Sequence, residues 1–171
     1  MVIWITGISG AGKTTLAKYF RKKFKRKSIY FDGDEFRKIF NNDIKYSLEA
    51  RNINAERLTR LVKYLSDQKN NIIISANLTS HKYRLWCRRN IKNYIEVFIN
   101  AEIKNLIKRD YKNLYSKAIK KKIKNVVGID IPFKIPKGSN IYIHNNSSKK
   151  DFLSKVKIID KYIKKNRIYV H

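Results

Sequence analysis

Residues 5–15 read ITGISGAGKTT, and Gly7, Gly12, Lys13 and Thr14 within them keep the spacing G-x-x-x-x-G-K-[ST]. No other stretch constrains the fold as tightly, because this loop works only between a strand and a helix. Glycines let successive backbone N–H groups converge on a phosphate, and the following helix adds the positive end of its dipole. Both flanks comply: Val2–Thr6 is a β-branched run, and 14–25 sets Leu16, Ala17, Phe20 and Phe24 on one helical face. Gly7, Ser9, Gly10, Ala11, Gly12, Lys13, Thr14 and Thr15 are therefore expected to hold a nucleoside triphosphate, ATP. In that setting Lys13 reaches the β/γ-phosphates and the Thr14 hydroxyl holds Mg²⁺.

Downstream, short β-branched runs alternate with segments of helical period, which predicts an α/β fold: a five-stranded, mainly parallel sheet flanked by helices. The further strands are expected at Ser28–Phe31, Asn71–Ala76, Tyr94–Ile99 and Asn140–Ile143. A helix over Leu48–Gln68 aligns Leu58, Leu61, Val62 and Leu65. A closing helix over Lys150–Lys164 turns Leu153, Val156, Ile159 and Ile163 inward and leaves Asp160 and most of its lysines outside. No repeat and no Gly/Ser/Pro-rich linker divides the 171 residues, so one domain over 1–171 is expected. Residues 110–138 have weak apolar period, many lysines and both prolines, Pro132 and Pro136, and read as a mobile, basic lid.

The chain carries 40 Lys+Arg against 13 Asp+Glu, a formal charge of +27 that attracts any polyanion without choosing among them. The lysines are spread along the chain among Ile and Asn residues, which fits compositional drift. The one dense run, Lys117–Lys124, reads as a solvated helical face. A single cysteine, Cys87, precludes an intrachain disulfide, and His81, His144 and His171 are too scattered to suggest a metal site. The apolar runs fall far short of the ~20 residues that span a bilayer, and the N-terminus enters the phosphate loop without room for a signal peptide. A cytoplasmic protein with no membrane partner is expected.

The second strand runs into Asp32-Gly33-Asp34, at the carboxyl edge where open α/β sheets bind ligands. Gly33 is read as permitting the turn. Asp34 also fits the N-cap of a helix over Glu35–Phe40, but capping accounts for only one of the two aspartates. On the following helix Arg51, Asn54 and Arg57 are spaced i, i+3, i+6, an arc of about 120° that can face one ligand. Arg57 alone reads better as part of a solvated polar stripe.

Taken in order, these motifs resemble the adenylyl-sulfate kinases, which phosphorylate the ribose 3′-hydroxyl of adenylyl sulfate. The resemblance runs through Gly7–Thr14, Asp32-Gly33-Asp34 with Arg37, Tyr46-Ser47, Arg51, Asn54 and Tyr94–Phe98. It continues through Arg109-Asp110, Lys112, Leu114-Tyr115, Lys117-Ala118, Lys124, Gly128–Asp130 and Pro132. It implies a P-loop nucleoside-triphosphate kinase fold with ATP and Mg²⁺ as cofactors. Asp34 would orient the acceptor hydroxyl or take its proton, with Asp32 in the Mg²⁺ shell beside Thr14. Arg37, Tyr46, Arg51, Asn54 and Lys124 would hold the acceptor nucleotide, Arg109 would serve the ATP side, and a homodimer is the candidate assembly.

The departures cluster on the acceptor side. Val126 stands where the family stacks an aromatic ring on the adenine, and Asn77 stands where an aromatic residue is expected. Thr79 replaces a serine and Ala50 an aspartate. Losing one wall of the base clamp costs a purine more than a smaller base, and the Asn77 amide can bond a base edge. The expected acceptor is a cytidine diphosphate amide, with adenylyl sulfate as the alternative. Two other classes stay open: a basic nucleic-acid-binding P-loop protein, for which no specific reading motif is present, and a nucleotide-gated interaction protein.

Overall fold

A computed structural model describes residues 1–24, 27–166 and 168, with the backbone alone at 111. Lys25, the predicted end of the first helix, and His171 lie outside the described residues.

Five strands, β1 (Val2–Thr6), β2 (Ile29–Asp32), β3 (Ile72–Ser75), β4 (Tyr94–Asn100) and β5 (Ile141–His144), form one sheet in the order β2-β3-β1-β4-β5. Every pairing is parallel. The central strands are buried on both faces, which is why they read as unbroken apolar runs without alternation. All five lie within a residue or two of their predicted bounds.

The strand pleat splits the core in two. Ile3, Ile5, Ile73, Ile95, Val97 and Ile99 face one side, where they meet Leu16, Ala17 and Phe20 of α1 (Lys13–Lys23). Val2, Trp4, Ile72 and Ile74 face the other. There they meet Phe36 of α2 (Gly33–Ile39), Leu58 and Val62 of α3 (Leu48–Asp67) and Cys87 of α4 (His81–Asn90). Beyond β4 come α5 (Ile103–Arg109), a 3₁₀ turn (Tyr111–Asn113) and α6 (Leu114–Ile119). None of the helices is long and apolar enough to cross a membrane among the described residues.

Several local expectations are corrected. The closing helix is two helices, α7 (Lys149–Lys155) and α8 (Lys157–Lys165). The break at Val156 is a tightened turn, with Val156 N–H bonded to Leu153 O and Ile159 N–H to Val156 O, both three residues back. Asp160 is not turned to solvent: it pairs with Lys23 and accepts from the Tyr19 hydroxyl at 3.2 Å, pinning α8 to α1. The Lys117–Lys124 run is helical only to Ile119, after which Lys121 takes a left-handed φ of 54°. Its lysines are exposed, Lys117 on α6 and the others on the turn and loop that follow. Within residues 110–138, Tyr115, Ala118, Val126 and Val127 are buried in the core.

Candidate active site

The phosphate loop links β1 to α1. Gly12 sits at φ +108°, and a Cβ there would lie 2.8 Å from the Asn145 amide nitrogen, so only glycine fits. Lys13, half-buried, donates from Nζ to Ile8 O at 2.9 Å. Burial pushes its ammonium down to about 8, against the upward pull of Asp34 and Asp32 and with a further downward push from Arg51.

Two side chains missed by sequence reasoning brace this loop: the Tyr115 hydroxyl donates to Ser9 O at 2.8 Å and Asn145 Nδ2 donates to Ala11 O at 2.8 Å. Arg109 is exposed and donates from Nη2 to Asn145 O at 3.1 Å and Ser147 O at 3.2 Å.

Beside Lys13 lies the turn from β2 into α2. Asp32, and not Asp34, is the N-cap of α2, accepting from Asp34 N–H at 3.0 Å on Oδ1. Its Oδ2 accepts from Ser75 Oγ at 2.8 Å, Tyr30 OH at 3.2 Å and Thr14 Oγ1 at 3.4 Å. Half-burial pushes the Asp32 carboxyl up, but the bonds from Ser75, the Asp34 N–H and Tyr30 more than offset it, and it titrates below its ordinary value. Asp34 is exposed, and its carboxylate meets the Tyr46 hydroxyl. Gly33 corrects the turn reading: it opens α2, and its reason is close approach, since a Cβ would lie 3.0 Å from that of Ala76. Ser75 had a visible signal, being the one polar residue of an otherwise isoleucine strand.

On the acceptor side, Arg37 is buried and donates from Nη1 to Lys45 O at 2.9 Å. Its guanidinium lies 4.7 Å from the centroid of the Tyr46 ring, and that of Arg51 lies 5.6 Å away. Tyr46 thus meets two cations instead of standing as a free wall for a base. Burial pushes its phenol up, and the Asp34 carboxylate adds to the shift. Arg51 also donates to Tyr46 O and to Asn125 O, each at 2.9 Å, joining α3 to the 110–138 segment. Asn54 is buried, and its Oδ1 and that of Asn77 are buried without a hydrogen-bond partner.

Lys124 and Val126 flank Asn125, whose carbonyl Arg51 holds. Val126 packs in the core, its N–H bonded to Asp130 Oδ1 at 2.6 Å. Lys124 is exposed on the loop before it. Arg57 leaves the arc of Arg51 and Asn54 to pair with Asp43 at 2.7 Å and to cover the Phe40 ring at 4.6 Å.

The arrangement joins a phosphate-gripping loop to a carboxylate and two guanidiniums at one sheet edge. The family model described as adenylylsulphate kinase matches residues 1–144. A cytidine diphosphoramidate kinase of Campylobacter jejuni is 38% identical over 163 residues, 94% of each chain. A probable adenylyl-sulfate kinase of Pseudomonas aeruginosa is 37% identical over 147 residues, 83% of this chain and 68% of its own. Among solved structures, the Mycobacterium tuberculosis APS kinase in complex with AMPPNP and APS superposes with a TM-score of 0.79 at 28% identity, covering 93% of this chain and 96% of that one. The chain belongs to the adenylylsulphate kinase family and is a phosphotransferase whose acceptor is an alcohol group of a nucleotide.

Proposed function

We propose that the chain transfers the γ-phosphate of ATP to the ribose 3′-hydroxyl of cytidine diphosphoramidate, in the assembly of a capsular phosphoramidate. The observation that carries the acceptor is the end-to-end similarity to the Campylobacter jejuni enzyme, 94% of both chains. Asn77 supports it: its Oδ1 is buried without a partner, and that loss is recovered when a base donor meets it. Adenylyl sulfate is the alternative acceptor.

In this mechanism the acceptor 3′-oxygen attacks the γ-phosphorus in line, the new O–P bond forms as the bond to the β-phosphate oxygen breaks, and ADP leaves. Asp34 orients the attacking hydroxyl and takes its proton. Lys13 leaves Ile8 O for the phosphates and neutralises charge on the moving group, which a loose transition state spreads over its peripheral oxygens. Arg37 and Arg51, already beside Tyr46, hold the acceptor's own phosphates. The Thr14 hydroxyl and the acidic Asp32 carboxylate, 3.4 Å apart, form an oxygen donor set that fits Mg²⁺. The ion would supply further charge neutralisation when bound with ATP.

A coupled ADP-release assay with both acceptors tests the reading. A higher kcat/KM for cytidine diphosphoramidate is expected; a higher value for adenylyl sulfate would overturn the acceptor assignment.

A further inference from the structure

The phosphate loop is held from outside by two side chains that lie beyond its motif. Tyr115 on α6 is 1% exposed and directs its hydroxyl at Ser9 O, while Asn145, just past β5 and also buried, directs its amide at Ala11 O, each at 2.8 Å. In a planar trans peptide the carbonyl and the N–H of one unit point in opposite directions. The Ser9 carbonyl shares its unit with the Gly10 N–H, and the Ala11 carbonyl shares its unit with the Gly12 N–H. Fixing both carbonyls outward turns both N–H groups the other way, to the side on which a bound phosphate lies.

We infer that Tyr115 and Asn145 are positioning residues that preset the Gly10 and Gly12 N–H groups for the phosphates of the nucleotide. Neither belongs to the loop it orients. Tyr115 comes from the 110–138 segment, where Asp110 Oδ1 accepts from its N–H at 2.8 Å and from that of Ser116 at 3.3 Å. Asn145 is steadied in turn through its carbonyl by Arg109. Burial and then the Asp110 charge push the Tyr115 phenol up to about 12, so it remains a donor across the working range of pH. The packing of α6 is thereby tied to the geometry of the phosphate loop, 106 residues away in sequence.

The inference rests on the ATP half of the proposed function and is independent of the acceptor. Tyr115→Phe keeps the buried ring and removes only the donor; Asn145→Leu is close in size and cannot donate. Each is expected to raise the calorimetric Kd for ADP and the KM for ATP about fivefold, the loss of one ordinary hydrogen bond, with the acceptor KM unchanged. A merely structural role would lower the melting temperature and leave ADP affinity as it was. Unchanged ADP affinity in a folded Tyr115→Phe protein, or equal rises in both KM values, would overturn the inference. Should Asn145→Leu fail to fold, the Tyr115→Phe result decides alone. Failure of the wild-type chain to bind ADP would overturn the kinase reading and this inference together.

Discussion

Ser75 Oγ donates a 2.8 Å hydrogen bond to Asp32 Oδ2 across the β2–β3 pairing, where the two residues are register partners. The bond keeps a half-buried carboxyl acidic beside the Thr14 hydroxyl. A depressed carboxyl contributes above its ordinary pKa and loses that contribution as pH falls through its lowered value. Ser75→Ala should therefore move the acid limb of the kcat/KM profile to higher pH and reduce kcat/KM by roughly tenfold, since a bond to a charged group is lost. A pH–rate profile of the variant beside the wild type checks both.

Lys13, pushed down to about 8, sheds its charge in the nucleotide-free protein as pH rises through that value. Polyphosphate favours the ammonium and raises the bound-state pKa, so binding takes up a proton above pH 8 or so, and ADP affinity should fall by up to about tenfold per pH unit there. For folding the trend with pH is the opposite: between about 8 and 10.5 the unfolded chain binds more protons at this lysine, so its cost to stability diminishes as pH rises. Calorimetry of ADP binding in two buffers of different ionisation enthalpy should find proton uptake near pH ~9 and almost none near pH ~6.5.

Glu96 is fully buried and accepts from Arg84, from Arg88 at 3.0 Å and from Ser139 Oγ at 2.6 Å, tying β4 to α4 and to the chain entering β5. Glu96→Gln leaves a buried guanidinium uncompensated and should cost about 3–5 kcal/mol of stability, read from urea unfolding.

Val126 lies in the core at 5% exposure, so Val126→Phe overfills a packed site. A loss of about 1–3 kcal/mol is expected, visible as a lower melting temperature, before any effect on base preference.

The sheet was legible because its parallel strands are buried on both faces, which gives isoleucine-rich runs such as Ile72–Ile74 that no flanking helix imitates. The phosphate loop was legible because its chemistry fixes residue types at fixed spacing. What escaped depends on contacts between distant residues. Nothing local marks Tyr115 as the partner of Ser9, or Asn145 as that of Ala11. Either aspartate of the turn fits a cap by sequence, and the choice of Asp32 follows from where Ser75 and Tyr30 meet it. Val126 stands at the motif position of a stacking residue, while its backbone N–H bonds to Asp130 within the core.

In the proposed mechanism Asp34 acts on a nucleotide hydroxyl facing the phosphate held by Lys13. Steady-state turnover of Asp34→Asn is the most direct measurement. Loss of general-base action should lower kcat about 10²- to 10⁴-fold while KM for ATP stays within about threefold. An Asp34→Asn enzyme that turns over at the wild-type rate would contradict the account.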